Sequence, residues 1–201
     1  GFGWFPIFLS FLIETVFQWS GMGRLYYDAI SGTPDEGLIV ALTFMFTLLY
    51  VIARDRRAQG ELKGPVVGTV MSNLGLEHAL AAEGIPFLRA KVGDRYVLAM
   101  LKEHGGILGG ETSGHLLCLD RTTTGDGIVS ALQVLAAMKR TDRSLAELAS
   151  GMPQFPQVMV NVRVRDRIDP MGSPAIQDAV RRVEAALGSH GRVVLRASGT
   201  E

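Results

Sequence analysis

The chain has 201 residues, with 20 basic and 20 acidic side chains and a single cysteine. A formal net charge of zero argues against a nucleic-acid-binding protein, whose surface is basic. One cysteine cannot form an internal disulfide, which fits a reducing compartment, and its apolar neighbours predict that Cys118 is a small buried residue. The length indicates one or two domains.

The first quarter of the chain is far more hydrophobic than the rest. Residues 4–17 are apolar apart from three polar side chains, and residues 37–53 carry no charge. The second stretch reaches the short limit for crossing a bilayer, and the basic residues 54–57 after it are typical of a cytoplasmic flank. The pattern predicts one or two hydrophobic helices, of which residues 37–53 would span a membrane. The alternative is a buried hairpin of a soluble protein.

Residues 13–30 carry a Glu-Thr-Val-Phe stretch followed by Gly-Met-Gly. They resemble the last cytoplasmic loop region of a binding-protein-dependent ABC transporter permease, with Ser20 in place of the usual proline. The resemblance implies that residues 1–53 are the C-terminal end of a permease. It also implies that residues 5–53 contact the inner membrane.

The character of the sequence changes near residue 48. Residues 48–57 fit both the end of a permease helix and a helix that leads into the strand-like segment after Gly64. Our hypothesis is that the chain is a hybrid, from a genuine recombination or an assembly error, and the alternative is a real fusion of two functions. Each part would be only a fragment of its family, and a fragment leaves its core incomplete.

Short strand-like and helical segments alternate after residue 64. Such alternation predicts a largely parallel sheet covered by helices. Asn73, Asp94, Asp126 and Ser144 are polar residues of the kind that cap the start of a helix. The predicted strands are residues 66–71, 86–92, 107–108 and 115–119, and the predicted helices are residues 74–83, 94–103, 127–140 and 145–149.

The helix over residues 127–140 has an apolar face. Its members are Ile128, Leu132, Leu135 and Met138, which recur at helical spacing. We therefore expect this face to pack against the core.

Residues 151–156 contain two prolines and predict a linker. The segment after it predicts a strand over residues 158–164, a helix over 174–187 with proline in its first turn, and a strand over 192–195. These elements predict the start of a small α+β domain. The expected domains are residues 1–53, 54–151 and 152–201.

Three glycine-rich stretches carry polar side chains. They are residues 91–97 (Lys-Val-Gly-Asp-Arg-Tyr-Val), residues 109–115 (Gly-Gly-Glu-Thr-Ser-Gly-His) and residues 196–201 (Arg-Ala-Ser-Gly-Thr-Glu). Glycine lets a backbone approach a ligand closely, and the polar groups can then bind it. On these motifs, residues from about 49 to 201 resemble the third domain and the start of the fourth domain of the alpha-D-phosphohexomutases. The form of the first stretch is typical of the glucosamine branch.

The resemblance implies an α/β fold: a parallel-sheet phosphohexomutase domain and a truncated α+β C-terminal domain, preceded by one or two hydrophobic helices. It also implies an isomerase that interconverts glucosamine 6-phosphate and glucosamine 1-phosphate through a phosphoserine and a bisphosphate intermediate. Mg²⁺, held by an Asp-rich loop in the second domain of the family, neutralises the transferring phosphate. The expected partner is a hexosamine phosphate, and the expected location of this part is the cytoplasm.

The resemblance further assigns substrate-binding residues by their place in the motifs. Glu111 and Ser113 match the ligands of the sugar hydroxyls, since a carboxylate accepts from two neighbouring hydroxyls. A second loop facing the cleft is matched by Lys91, Asp94 and Arg95, and His115 is a further candidate. The loop that grips the phosphate is matched by Arg196, Ser198, Gly199 and Thr200.

Two motifs of the family are absent from the sequence. No serine is followed by His-Asn-Pro, and there is no Asp-x-Asp-x-Asp cluster. We therefore expect no catalytic phosphoserine, no Mg²⁺ site and no turnover by this chain alone. Three hypotheses remain open at this point: a mutase fragment with a foreign head, a permease fragment with a mutase-derived tail, and a binding protein without catalysis.

Overall fold

The computed structural model describes residues 34–111, 114–153, 155–157, 160, 162 and 169–196, with side chains from residue 46 onwards. The chain divides into two units, Gly1–Val158 and Met159–Glu201. The predicted boundary at residue 53 falls inside a continuous helix of the first unit.

The first unit is built on a four-stranded sheet with the strand order β2-β1-β3-β4. Strand β1 pairs with β2 and β3 in parallel, and β3 pairs with β4 antiparallel. In the register, Val67 lies between Leu88 of β2 and Gly109 of β3. The strands are β1 Val66–Thr69, β2 Phe87–Ala90, β3 Leu108–Gly110 and β4 Leu116–Cys118. The predicted α/β class with a parallel-dominated sheet is confirmed.

The helices begin close to where the sequence predicts them. The α-helices among the described residues are α1 Pro34–Ala58, α2 Leu74–Ala82, α3 Asp94–His104, α4 Gly127–Thr141, α5 Leu145–Ala149 and α6 Pro174–Leu187. The side chains of Asn73, Asp126 and Ser144 cap α2, α4 and α5 as predicted.

The predicted cap at Asp94 is wrong. Gly93 is the N-cap of α3, and Asp94 is the first helical residue. Gly93 has a φ of 126°, a value that side-chain-bearing residues rarely adopt. The helix therefore begins one residue earlier than predicted, and the Asp94 carboxylate accepts from the neighbouring Arg95 N–H at 2.7 Å.

Two layers of helices cover the sheet. Helices α1, α2, α4 and α5 pack in one hydrophobic cluster with β1, β3 and β4, and α3 packs in a second cluster with β1 and β4. Cys118 lies in the first cluster, and burial raises the pKa of its thiol. The expectation that Cys118 is a small buried residue is therefore confirmed.

The expectation that residues 37–53 span a membrane is not supported. The described part of the chain contains no helix that is long and apolar enough to cross a bilayer. From residue 46 onwards α1 contributes to the core of the first unit, where Phe46, Leu49, Tyr50 and Ile52 are all buried. The other predicted hydrophobic segment, residues 4–17, lies outside the described residues. Residues 5–33 of the predicted membrane contact over residues 5–53 lie outside them as well.

Helix α4 packs on a different face from the one predicted. Its buried residues are Ser130, Val134 and Ala137, and Met138 is partly buried. The other three members of the predicted face, Ile128, Leu132 and Leu135, are exposed. The smaller residues face α1, so that the two helices pack side by side, and the large apolar residues point outwards.

The second unit contains α6 and short 3₁₀ turns at Pro170–Gly172 and Gly188–His190. Helix α6 forms as predicted. Residues 192–195 are described but do not form the predicted strand. Most of the strand predicted over residues 158–164 lies outside the described residues.

Candidate functional site

The candidate site residues of the first unit lie at one edge of the sheet. Parallel strands β1, β2 and β3 end at the same edge, so the segments that follow Thr69, Ala90 and Gly110 are neighbours. In open α/β sheets ligands bind outside the carboxyl ends of the strands. The two glycine-rich stretches of this unit lie at this edge.

Glu111 is the central side chain of this edge. It directly follows β3 and is only 6% exposed. The backbone N–H of Gly93, at the end of the β2 loop, donates to Glu111 Oε2 at 2.9 Å. His115 Nδ1 lies 3.3 Å from Glu111 Oε1, and the His115 side chain is half exposed. The carboxylate is thus held on both sides by partners from two loops.

A tight turn joins β3 to β4 and carries these groups. The Glu111 N–H donates to the His115 carbonyl at 3.1 Å, and the Gly114 N–H donates to the Glu111 carbonyl at 3.3 Å. Gly114 has a φ of 96°, which requires glycine. Glu111 and His115 are therefore brought together by the backbone between β3 and β4. Ser113 lies outside the described residues.

The loop after β2 presents two cations around one aromatic ring. The Arg95 guanidinium lies 4.6 Å from the centre of the Tyr96 ring and donates to its hydroxyl at 2.8 Å. Lys91 Nζ lies 6.0 Å from the same ring centre. The negative face of an aromatic ring attracts cations, so Tyr96 holds two like charges near one another. Lys91, Asp94 and Arg95 are all exposed at this edge.

Two site residues were missing from the sequence prediction. Gly93 contributes a backbone N–H, and its signal was a glycine immediately before a helix. Tyr96 contributes a ring face, and its signal was an aromatic residue next to Arg95 in the motif. The sequence prediction relied on charged and hydroxyl side chains near glycines, and it therefore included neither a backbone N–H nor an aromatic ring face.

The loop after β1 is held in place beside these groups by hydrogen bonds. Ser72 Oγ accepts from the Thr69 N–H at 2.9 Å, and both residues are buried. Arg89 donates to the carbonyls of Thr69 and Ser72, at 3.2 and 2.9 Å, and pairs with Glu77 at 2.5 Å. Because these bonds tie β1, β2 and α2 together, the edge of the sheet is held in one arrangement.

The second unit holds the remaining predicted residues. Arg196 is described and is exposed, whereas Ser198, Gly199 and Thr200 lie outside the described residues.

The described residues do not form a metal site. They contain no group of three or more histidine, cysteine, aspartate or glutamate side chains that could hold a metal ion. Glu111 and His115 alone are too few for the oxygen-rich shell that Mg²⁺ prefers.

Comparison with known families identifies both units. Residues 47–155 match the model for phosphoglucomutase/phosphomannomutase, alpha/beta/alpha domain III. Residues 159–201 match the model for the C-terminal domain of the same enzymes. The chain belongs to the phosphoglucomutase/phosphomannomutase family. Residues 47–53, expected to end a permease segment, are thus part of the domain III match.

Two similar relatives are named phosphoglucosamine mutase. The protein from Alkalilimnicola ehrlichii is 64% identical over 154 residues, which cover 77% of this chain and 34% of the relative. The protein from Aeromonas hydrophila is 60% identical over 154 residues, which cover 77% of this chain and 35% of the relative. This chain therefore spans about a third of the length of these family members.

A solved structure shares the fold. The N-acetylphosphoglucosamine mutase of Aspergillus fumigatus superposes with a TM-score of 0.64 at 18% identity, covering 80% of this chain and 41% of the other. That enzyme was crystallised in complex with GlcNAc-6P and magnesium. The predicted resemblance to the phosphohexomutases is confirmed by sequence and by fold.

Proposed function

We propose that this chain is the substrate-recognising part of a phosphoglucosamine mutase. In this role it contributes to the interconversion of glucosamine 6-phosphate and glucosamine 1-phosphate. The observation that carries the proposal is the Glu111 carboxylate, a buried charge at the carboxyl edge of the sheet, where ligands of α/β folds bind. The relatives at 60–64% identity support the choice of substrate.

Glu111 suits the recognition of a sugar. A carboxylate has about four acceptor positions, and the Gly93 N–H and His115 engage one oxygen each. A carboxylate can accept hydrogen bonds from two neighbouring hydroxyls of a hexose. Because Gly93 and His115 orient the carboxylate beforehand, little side-chain entropy is lost when the sugar binds.

The exposed cations of the β2 loop suit a phosphorylated ligand. Lys91 and Arg95 carry positive charge on the loop whose Gly93 N–H donates to Glu111. Arg196, Ser198, Gly199 and Thr200 are proposed to grip the phosphate in the second unit, where arginine and hydroxyl donors match phosphate oxygens. Ser113 is proposed as a second ligand of the sugar hydroxyls.

The phosphoryl transfer itself is proposed to use groups that the described residues do not supply. A phosphoserine would donate and recover the phosphoryl group through a bisphosphate intermediate, and Mg²⁺ would neutralise the transferring charge. The described side chains include no group that could hold the metal ion. The lone cysteine is consistent with our proposal of a cytoplasmic location for the mutase part.

Calorimetry with glucosamine 6-phosphate on the full chain tests the recognition role. We expect binding that Glu111→Gln weakens by at least about tenfold, because the neutral amide replaces one acceptor oxygen with a donor. Glu103→Gln, a change to an exposed carboxylate of α3, is the matched control and should leave binding unchanged. Equal affinity of the wild-type and Glu111→Gln chains would remove Glu111 from the site.

A further inference from the structure

Tyr96 lies in the first turn of α3 and contacts three neighbours from the glycine-rich stretch 91–97. The Arg95 guanidinium carbon lies 4.6 Å from the ring centre, and Lys91 Nζ lies 6.0 Å from it. A Cβ placed on Gly93 would lie 3.2 Å from Tyr96 Cδ2, so the ring covers the Gly93 backbone. Two cations and the glycine that binds Glu111 therefore share one aromatic neighbour.

The Tyr96 ring is not part of the core that holds α3 on the sheet. Helix α3 is attached through Val97 and Leu101, which are buried in the second hydrophobic cluster. Tyr96 is 36% exposed and is a member of neither cluster in the described part of the chain. Removal of the ring should therefore leave the core intact, and its effect is expected at the candidate site.

The ring is connected to Glu111 through Gly93. The Tyr96 N–H donates to the Gly93 carbonyl at 2.9 Å, and the Gly93 N–H donates to Glu111 Oε2 at 2.9 Å. Glycine has more backbone freedom than any other residue, so its conformation has to be limited by its neighbours. The ring packed on Gly93 limits it to the conformation in which its N–H orients the Glu111 carboxylate.

The ring also keeps two like charges near one another. Lysine and arginine side chains have many conformations, and their charges repel each other. The negative face of an aromatic ring attracts both cations and offsets part of this repulsion. Phosphate oxygens bind strongly to such charged donors, and less conformational entropy is lost on binding when the donors are already confined. The arrangement of Lys91 and Arg95 around Tyr96 therefore favours a phosphorylated ligand.

We propose that Tyr96 is a positioning residue for the recognition of a phosphorylated amino sugar. Its ring keeps the Gly93 N–H on Glu111, which would bind the sugar hydroxyls, and keeps Lys91 and Arg95 together for the phosphate. One side chain thereby joins sugar recognition to phosphate recognition. The inference rests on the proposed function for the identity of the ligand, whereas the effect on Gly93 can be measured without a ligand.

Calorimetry with glucosamine 6-phosphate compares the wild-type chain with three variants. Tyr96→Leu removes the ring and should weaken binding by about tenfold, because the cations and Glu111 are no longer positioned beforehand. Tyr96→Phe keeps the ring and should recover most of this loss, although Arg95 loses its bond of 2.8 Å to the hydroxyl. Lys102→Gln, which removes an exposed cation from the last turn of α3, is the matched control and should leave binding unchanged.

Two results of the calorimetry would overturn the proposal. One is equal affinity of the wild-type and Tyr96→Leu chains. The other is a Tyr96→Phe chain that binds as weakly as Tyr96→Leu, because the hydroxyl and not the ring would then be the group that matters.

Amide hydrogen exchange, followed by NMR without ligand, separates positioning from general loosening of α3. The Gly93 N–H should exchange about tenfold faster in Tyr96→Leu than in the wild type, since its bond to Glu111 opens more often. The Gly106 N–H donates to the Leu101 carbonyl at 2.8 Å at the other end of the helix and should keep its rate. Equal acceleration at both amides would count against the proposal, because the ring would then stabilise the whole helix.

The two measurements distinguish failure of this inference from failure of the proposed function. If the wild-type chain binds no glucosamine 6-phosphate, the proposed function fails and the exchange rate of the Gly93 N–H decides the role of Tyr96. An unchanged rate then overturns the positioning role, and selective acceleration supports it. If the wild-type chain binds the sugar phosphate and Tyr96→Leu changes neither affinity nor exchange, the proposed function stands and this inference is wrong.

Discussion

A single buried arginine links three elements of the first unit. Arg56 of α1 is 2% exposed, and its Nη1 donates to Asp120 Oδ1 at 2.5 Å, while Nη2 donates to Gln133 Oε1 at 3.1 Å. Its Nε has no hydrogen-bond partner among the described residues. A buried cation has lost its hydration, so its stability in the folded protein depends on the groups that contact it.

We expect Asp120→Ala to lower the free energy of unfolding by about 3 kcal/mol, because it leaves the Arg56 cation buried without its counter-charge. Asp178→Ala removes the acid of an exposed pair with Arg181 and should cost less than about 1 kcal/mol. Urea unfolding of both variants measures the difference. Similar costs for the two changes would show that Arg56 finds another partner or reaches water.

At the scale of elements, hydrogen bonds join the N-cap of α2 to the segment that follows α5. The Asn73 side-chain oxygen accepts from the Gly75 N–H at 2.8 Å and from the Phe155 N–H at 3.3 Å, and its amide donates to the Phe155 carbonyl at 2.8 Å. The contact is close because Gly75 lacks a side chain. A Cβ there would lie 1.7 Å from the Pro153 carbonyl oxygen.

Gly75→Ala should therefore destabilise the first unit, by about 1–3 kcal/mol, because a backbone carbonyl has to move. Gly127→Ala is the matched control, since nothing lies within 4 Å of its Cβ position in the first turn of α4. That change should be neutral or stabilising by up to about 1 kcal/mol. The midpoints of thermal unfolding compare the two. If the Gly75→Ala and Gly127→Ala proteins are equally stable, the segment at Pro153 moves aside without a measurable cost in free energy.

The capping box of α5 predicts a pH dependence. Hydrogen bonds from the Ser144 hydroxyl and backbone N–H hold the pKa of Glu147 below its ordinary value of 4.5. A lowered pKa in the folded state contributes stability above the ordinary value, and that contribution is lost as the pH falls through the folded value. The stability difference between wild type and Ser144→Ala should thus be constant near neutral pH and shrink below pH 4.5. Thermal unfolding at several pH values measures it, and a difference that grows on acidification would contradict this account.

At the scale of the whole molecule, we propose that the chain contributes substrate recognition and that the chemistry of transfer needs groups beyond these residues. It matches domain III and the C-terminal domain of its family over a third of the relatives' length. Its sequence contains neither Ser-His-Asn-Pro nor Asp-x-Asp-x-Asp. The core of the first unit is extensive, whereas α6, which the structure describes in full, has no buried residue.

We expect the purified chain to form no glucosamine 1-phosphate from glucosamine 6-phosphate, with or without Mg²⁺. The reason is that the phosphoryl donor and the metal ligands of the proposed mechanism are lacking in these 201 residues. Phosphorus NMR of the reaction mixture follows both sugar phosphates directly. Full-length Alkalilimnicola ehrlichii relative in a parallel reaction serves as the positive control. Magnesium-dependent conversion by the chain alone would refute this prediction.

Much of this arrangement could be predicted from local sequence. The caps at Asn73, Asp126 and Ser144 depend on a side chain bonding a backbone group two or three residues away, and such contacts are visible in the sequence. The cap at Asp94 was missed because the backbone of Gly93 turns the chain first. The bond between Gly93 and Glu111 joins residues 18 positions apart, so no local pattern reports it.

The sequence by itself determined the family, the α/β class and the position of most helices, because these follow from motifs and from short-range periodicity. Only the tertiary structure decided that residues 46–53 of α1 contribute to the core of the first unit, and that α4 turns its smaller residues inwards. The free energy of an apolar side chain falls when it leaves water, whichever surface covers it. Which surface receives it depends on elements far along the chain, and that information appears only when the elements pack together.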